Sequence, residues 1–346
     1  MWPFWLLFIT AAVGVGARPR VGKPLVFIWV AVGVMFSVVL GFRHEVGADW
    51  FNYVEMFEAT RWLSFKEAYS IGDPGYFVLN WLIGQYGGDI YWTNFVCAAV
   101  LTWGTIVFCQ RQPNPWLALL AAVPYMLIVV GMGYTRQSVA LGFALLGFAA
   151  LGDSRTRAFV FWVALAALFH KSAVLLFPIA ALAASRNRVL TGVLVLAATA
   201  MAYYLLLQDS SEALWANYVD QDLQSEGGAI RVAMNAIPAA ALILFSKRLA
   251  PELHERRLWL WIAVFALVCV PLVALASTAV DRVALYLIPL QLFVFSRLPR
   301  LAHSTATRTP LVLAIVLYYA AVQFVWLNYA THAGYWAPYH FMPAGP

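Results

Sequence analysis

Apolar residues run almost unbroken over 2–16, 24–42, 90–109, 116–133, 138–151, 189–207, 230–246, 258–276, 280–295 and 311–327. About 20 helical residues cross the ~30 Å hydrocarbon core of a bilayer, and tilt or interfacial anchors tolerate somewhat fewer. The runs therefore predict about ten spanning helices. Two stretches break the pattern. Residues 75–87 lie between Pro74-Gly75 and Gly87-Gly88 and are too short to cross, so they read as a re-entrant or interfacial piece. Residues 158–169 and 172–184 each give roughly 20 Å of helix, also too short. They predict a broken helix hairpin over 158–184 with His170-Lys171-Ser172 at its tip. The competing reading is one long tilted helix, which puts Lys171 at bilayer depth.

Composition removes the soluble alternatives. Of 346 residues, 63% are hydrophobic and 11% are charged, against about 25% charged in soluble chains. The expected fold is an all-α polytopic membrane protein of about 10–12 transmembrane helices with one or two re-entrant or short helices. It forms a single integral domain over 1–346. The net charge of +6 does not point to nucleic acid, because the basic residues come in small clusters between apolar runs. Cys97, Cys109 and Cys269 lie inside apolar runs and have no redox or metal spacing. No Lys or Arg precedes the first run, so it reads as a retained span rather than a cleaved signal.

The Lys/Arg clusters orient the helices. Arg18, Arg20, Lys23, Arg111, Arg155, Arg157, Arg186, Arg188, Lys247, Arg248, Arg256, Arg257, Arg297, Arg300 and Arg308 fall in alternate loops and are placed inside. The intervening loops are acidic. Segment 43–73 carries six carboxylates against three cations, and 208–231 carries five against one. Both termini come out external.

With this orientation the unusual polar residues face outward. Ionisable groups near membrane depth are costly and point to function by default. After Arg43 and Glu45, Asp49 stands where an N-cap is needed. Trp50, Tyr53, Val54 and Phe57 then follow at i, i+3, i+4 and i+7, predicting an amphipathic interfacial helix. Tyr134-Thr135-Arg136-Gln137 joins two apolar runs by a tight external turn. Arg136 there is either an interfacial anchor or a phosphate clamp, since a guanidinium grips phosphate bidentately. His170 and Lys171 mark the hairpin tip. Asp281-Arg282 opens the 280–295 run, and adjacent helical residues point about 100° apart, so the two need not pair with each other. Asp220-Gln221-Asp222 has the look of a metal-binding Asp-x-Asp in a loop that is acidic throughout. Nucleotide-binding, serine-hydrolase and zinc-protease motifs are absent from the sequence.

These elements occur in a set order: Arg43…Asp49-Trp50…Tyr53, Asp73-Pro74-Gly75-Tyr76 with Leu79-Asn80, Arg136-Gln137, Phe169-His170-Lys171-Ser172-Ala173, Asp281-Arg282 with Tyr286, and the tail Trp336-Ala337-Pro338-Tyr339. The combination resembles the EpsG family of exopolysaccharide polymerases, related to Wzy-type polymerases. Asp73 stands where the resemblance leads one to expect Glu, and Lys171 intervenes between His and Ser. The resemblance implies a GT-C-like glycosyltransferase. It would join polyprenyl-diphosphate-linked oligosaccharide repeats at the periplasmic or external face of a bacterial inner membrane, with a chain-length regulator and a flippase as protein partners and no cofactor. Arg43, Arg136, Gln137, Lys171 and Arg282 would bind the diphosphate. Asp49 or His170 would serve as base, with Glu45, Tyr53, Asp73 and Asp281 in support. If the cations replace a divalent ion, no metal is needed. The expectation underneath is that these charges share one external cavity. A flippase, a single-addition transferase and a ligase share much of the same chemistry and stay open. A flippase should show inverted repeats with a broken helix in each half, and only one broken pair is evident.

Overall fold

The computed structural model describes residues 1–17, 26–179, 193, 197, 227–275 and 277–343. The second arm of the expected hairpin beyond 179, the 189–207 run, most of the 208–231 loop with Asp220 and Asp222, and the cations Arg18, Arg20, Lys23, Arg186 and Arg188 lie outside the described residues.

The described chain is an all-α polytopic membrane protein. The helices are α1 Trp2–Gly16, α2 Val26–Gly41, α3 Trp50–Thr60, α4 Phe65–Ser70, α5 Pro74–Gln85, α6 Ile90–Gln110, α7 Pro115–Ala122, a π-helical stretch Val123–Val130, α8 Gly131–Gly133, α9 Thr135–Gly152 and α10 Thr156–Phe169. A 3-10 turn, Lys171–Leu176, follows α10. Then come α11 Gly228–Leu249, α12 Leu253–Leu272, α13 Ser277–Leu285, α14 Pro289–Arg297 and α15 Thr305–Tyr329. A two-stranded ribbon, β1 Arg43–His44 with β2 His340–Phe341, accompanies them. Among the described residues four helical stretches are long and apolar enough to cross a bilayer: Ile90–Gln110, Pro115–Gly133, Gly228–Leu249 and Thr305–Tyr329. Trp2–Gly16, Val26–Gly41 and Thr156–Phe169 are apolar but shorter.

Most boundaries follow from the residues at them. Pro74 and Pro115 open α5 and α7, where the first-turn N–H groups have no helical partner in any case. Ser64 and Glu67 form a reciprocal capping box on α4. Asp89 accepts from the backbone N–H of Tyr91 and Trp92 at the start of α6. The run predicted as one element over 280–295 is two helices. Between them Tyr286, Leu287 and Ile288 donate back three residues rather than four. Pro289 has no N–H with which to continue the α ladder.

The described residues gather into two compact units. The first comprises the described parts of 1–143, with 168–170 and 312–343, and the second the described parts of 144–167 and 171–311. In the first unit, small residues let helices touch. A Cβ on Gly104 of α6 would lie 2.1 Å from the Gly142 carbonyl oxygen of α9, and one on Gly142 would lie 2.8 Å from the Leu101 Cα. Close approach of small residues is how membrane helices gain dispersion energy when lipid competes equally for apolar contact. At the C-terminal end of α2, Gly41 lies against the backbone of Phe95, and Phe42 stacks on the Phe95 ring at 4.9 Å. Trp29 stacks on Trp116 at 4.3 Å. Gln323 of α15 donates to the Phe4 carbonyl, tying the last helix to the first.

In the second unit, Trp259 stacks on Phe293 at 4.2 Å and joins α12 to α14. Arg297 lies over the same Phe293 ring at 3.6 Å and pairs with Glu255 at 2.7 Å. Asn235 of α11 donates to the Ala284 carbonyl, which the break after α13 leaves outside the α ladder, and accepts from Gln291. Ser172 donates to the Tyr286 hydroxyl at 3.2 Å.

The glycine crossing makes a direct prediction. Gly142→Leu forces bulk against the backbone of Val100 and Leu101. Overpacking of this kind costs about 1–3 kcal/mol or more. Thermal melting in detergent should show a large fall in Tm for this variant, and little change for Gly152→Leu, where a Cβ meets nothing within 4 Å.

Candidate functional site

The site is assembled around Arg43, which leaves α2 and enters β1. Its guanidinium is 1% exposed. Nε donates to the Val46 carbonyl at 3.0 Å, and Nη1 to the Leu40 carbonyl at 2.7 Å. Nη2 reaches the Thr135 hydroxyl at 2.8 Å and the Asn94 amide oxygen at 3.4 Å. One side chain thus holds the end of α2, the turn at Val46, the first turn of α6 and the start of α9. All four acceptors are neutral. Burial draws the guanidinium down to about 10, with Tyr53 the largest opposing influence, so it stays cationic at neutral pH. A planar fork of five donors suits this task; a lysine ammonium does not reach the same acceptors.

Arg136 is the next residue after the anchored Thr135. Its guanidinium donates to Asp73 at 2.9 Å and keeps 30% of its side chain exposed, while Asp73 keeps 9%. Its Nε is buried without a hydrogen-bond partner. Arg136 also hydrogen-bonds Tyr53, whose phenol is raised above its usual range by burial, an effect that the Arg136 charge partly offsets. Tyr53 stays neutral at physiological pH as a result. The Asp49 charge also acts on Tyr53, pushing its pKa further up. Asp49 sits at the N-cap position of α3, yet its carboxylate makes no cap bond and instead accepts from Asn52 at 3.4 Å.

The α3 helix carries this group as its pattern predicts. Trp50, Tyr53 and Phe57 are buried and Phe51 is exposed. Trp50 lies under the Arg43 guanidinium at 5.8 Å, and Tyr53 meets Tyr76 edge-on at 5.6 Å. Tyr76 and Asn80, one turn apart on α5, are fully buried. The α10 helix ends at Phe169, whose ring approaches Phe143 at 5.7 Å. A Cβ on Gly75 would lie 2.9 Å from that ring and 3.0 Å from the Leu168 carbonyl oxygen. His170 therefore follows directly on a contact with the Asp73-Pro74-Gly75 corner.

The first unit thus brings together Arg43, Asp49, Tyr53, Asp73 and Arg136, and also contains His170. Gln137 is buried beside Arg136 in sequence. Glu45 is exposed, with φ of 52°, and its carboxylate lies 3.8 Å from His44. Lys171, Asp281 and Arg282 belong to the second unit. There Asp281 takes a bidentate pair of bonds from Arg231 of α11, one of them at 2.6 Å, and Arg282 points to an exposed position.

Sequence reasoning missed Asn94, Thr135 as an anchor and Arg231, and found Trp336 only as part of the tail motif, without its contacts. Asn94 and Arg231 carried a visible signal, since each is polar near one end of an apolar run.

A family model, the EpsG family, matches residues 26–341. The chain belongs to the EpsG family. The match runs from the first residue of α2 to the last residue of β2, so every element of the EpsG chain described around Arg43 falls within it. No curated protein and no solved structure matches the chain.

Arg43 and Arg136 should separate in mutagenesis. Arg43→Lys strands several buried acceptors, each costing about 1–3 kcal/mol, and should lower Tm sharply. Arg136→Lys, at the partly exposed rim, should melt within a few degrees of wild type. Equal melting points for the two variants would contradict the bracing role.

Proposed function

We propose that the chain is an exopolysaccharide polymerase. It elongates glycan by moving a growing chain from a polyprenyl diphosphate onto the terminal sugar hydroxyl of a new lipid-linked repeat, outside the cytoplasmic membrane. Membership of the EpsG family supports a polymerase-type glycosyltransferase in general. The observation that carries the finer reading is the buried charge at the site. Two guanidinium groups, Arg43 and Arg136, share it with one buried carboxylate, Asp73, and the Arg43 partners are all neutral. A cationic Arg43 whose partners are all neutral, and an Arg136 that keeps part of its side chain exposed, next to apolar helix ends, suit an anionic headgroup on an apolar tail.

In the transfer, the acceptor hydroxyl attacks the anomeric carbon through an oxocarbenium-like transition state. The bond from that carbon to the diphosphate oxygen breaks, and negative charge grows on the departing diphosphate. Preorganised donors aimed at developing charge are usually the largest single contribution to such a rate. Arg136 holds this role in our reading, because its fork is partly exposed. Arg43 holds the Arg136 helix start in place and adds a second positive charge. The proton lost from the acceptor goes to a base, a contribution typically of about 10²–10⁴-fold. Asp49 is the first choice, since its carboxylate is not engaged in capping α3. His170, beside the Asp73 corner, is the alternative. In this scheme the cations take the place of a divalent ion.

The test is a chain-length assay with purified protein and lipid-linked repeats. Arg136→Ala should reduce polymerisation by about 10²-fold or more. Asp49→Asn or His170→Ala should be nearly inactive, whichever is the base. EDTA should leave the ladder unchanged. A ladder retained by both base variants would refute the site. Lipid transport without lengthening, or a single added sugar, would refute the polymerase.

A further inference from the structure

The C-terminal tail is built into the site. After α15 it passes through Tyr335 and Trp336, crosses a cis Ala337–Pro338 peptide bond and ends in β2. There Phe341 pairs with Arg43 and His340 with His44. The Gly47 N–H donates to the Tyr335 carbonyl at 2.7 Å, and the Met342 N–H to the Phe42 carbonyl at 2.8 Å. The Tyr339 hydroxyl donates to the Val39 carbonyl at 2.8 Å. These bonds fix the segment that carries Arg43.

A second set fixes the segment that carries Arg136. Trp336 is 2% exposed, and its indole N–H donates to the Ile128 carbonyl at 3.1 Å. Trp326 meets it edge-on at 4.8 Å. The far edge of the indole lies on Gly133: a Cβ there would be 2.5 Å from Cζ2 and 2.9 Å from Cη2. Gly133 is three residues before Arg136. The third contact closes the triangle. Gly47, at φ of 105°, lies so close to the Met132 carbonyl that a Cβ would come within 2.2 Å of its oxygen. Only glycine meets both the left-handed backbone and that approach. Three segments, 42–47, 131–136 and 335–342, thus meet at Gly47, Gly133 and Trp336.

We propose that Trp336 is a positioning residue for the transfer. Through it, the tail sets the distance between the Arg43 brace and the Arg136 guanidinium, and so the place where the departing diphosphate is held. The proposal rests on the polymerase reading. A misplacement of about 1 Å can cost about 10²-fold in rate, so a clamp this close to Arg136 acts on turnover before it acts on folding.

The experiment uses full-length protein in nanodiscs with lipid-linked repeats, comparing Trp336→Phe, Gly133→Ala and the double variant. A phenyl ring lacks the indole N–H and the Cζ2 and Cη2 atoms that a Gly133 methyl would strike. Each single variant should therefore lower kcat about tenfold or more with KM within about twofold. The double variant should recover to at least the Trp336→Phe level, since the methyl fills the space the indole leaves, and such non-additivity marks direct coupling. Amide hydrogen exchange at 133–137 should quicken in Trp336→Phe by more than the fall in melting point from the lost bond to the Ile128 carbonyl accounts for. Losses that multiply in the double variant, or single variants with wild-type kcat, would overturn the proposal, as would unchanged exchange at 133–137. If wild-type protein builds no ladder while exchange responds as expected, the polymerase reading fails and the clamp stands. Should Gly133→Ala not fold, kcat and exchange of Trp336→Phe alone decide.

Discussion

A guanidinium buried just past the end of a membrane helix must find its acceptors in protein, because neither hydrocarbon nor bulk water supplies them. Arg43 meets this constraint by collecting the Leu40 and Val46 carbonyls, the Asn94 amide and the Thr135 hydroxyl. These acceptors belong to different elements, so satisfying one side chain fixes the relation of α2, α6 and α9. Removing the charge would leave that set of polar groups unmatched in a low-dielectric setting, where each unmet bond is costly. The position of Arg136 follows from this brace, since Thr135 is one of its four points.

The arrangement divides labour between two arginines that look alike in sequence. Arg43 has its donors engaged by the protein and contributes charge and rigidity. Arg136 keeps part of its fork exposed, pairs with Asp73 and hydrogen-bonds Tyr53, and is free to trade partners at the rim. Rigid first contacts backed by a fixed second layer are what electrostatic stabilisation of a leaving group requires.

Much of this was legible from the amino-acid order. Hydropathy located nearly every described helix, because a bilayer demands long apolar runs and leaves little room for ambiguity. The periodicity of Trp50, Tyr53 and Phe57 foretold the amphipathic helix α3, and the length argument at 158–169 found the break at His170. The order of short motifs pointed to the family. What the sequence hid was pairing. The separation of Asp281 from Arg282 by about 100° on a helix was foreseeable, but the choice of Arg231 as its partner was not. The split of 280–295 was obscured by a continuous apolar pattern that outweighs a single Pro289. Asn94, Thr135 and Trp336 act through contacts between residues far apart in the chain, and hydropathy carries no information about these.

The central claim is that Arg136 receives the diphosphate while Arg43 remains locked in the protein. A cryo-EM structure of the protein in nanodiscs with a non-transferable polyprenyl diphosphonate tests it most directly. The account predicts phosphonate oxygens within hydrogen-bond distance of the Arg136 guanidinium, with the Arg43 bonds to Leu40, Val46 and Thr135 intact. A headgroup bound away from Arg136, or an Arg43 side chain swung out of its brace to grip the ligand, would contradict it.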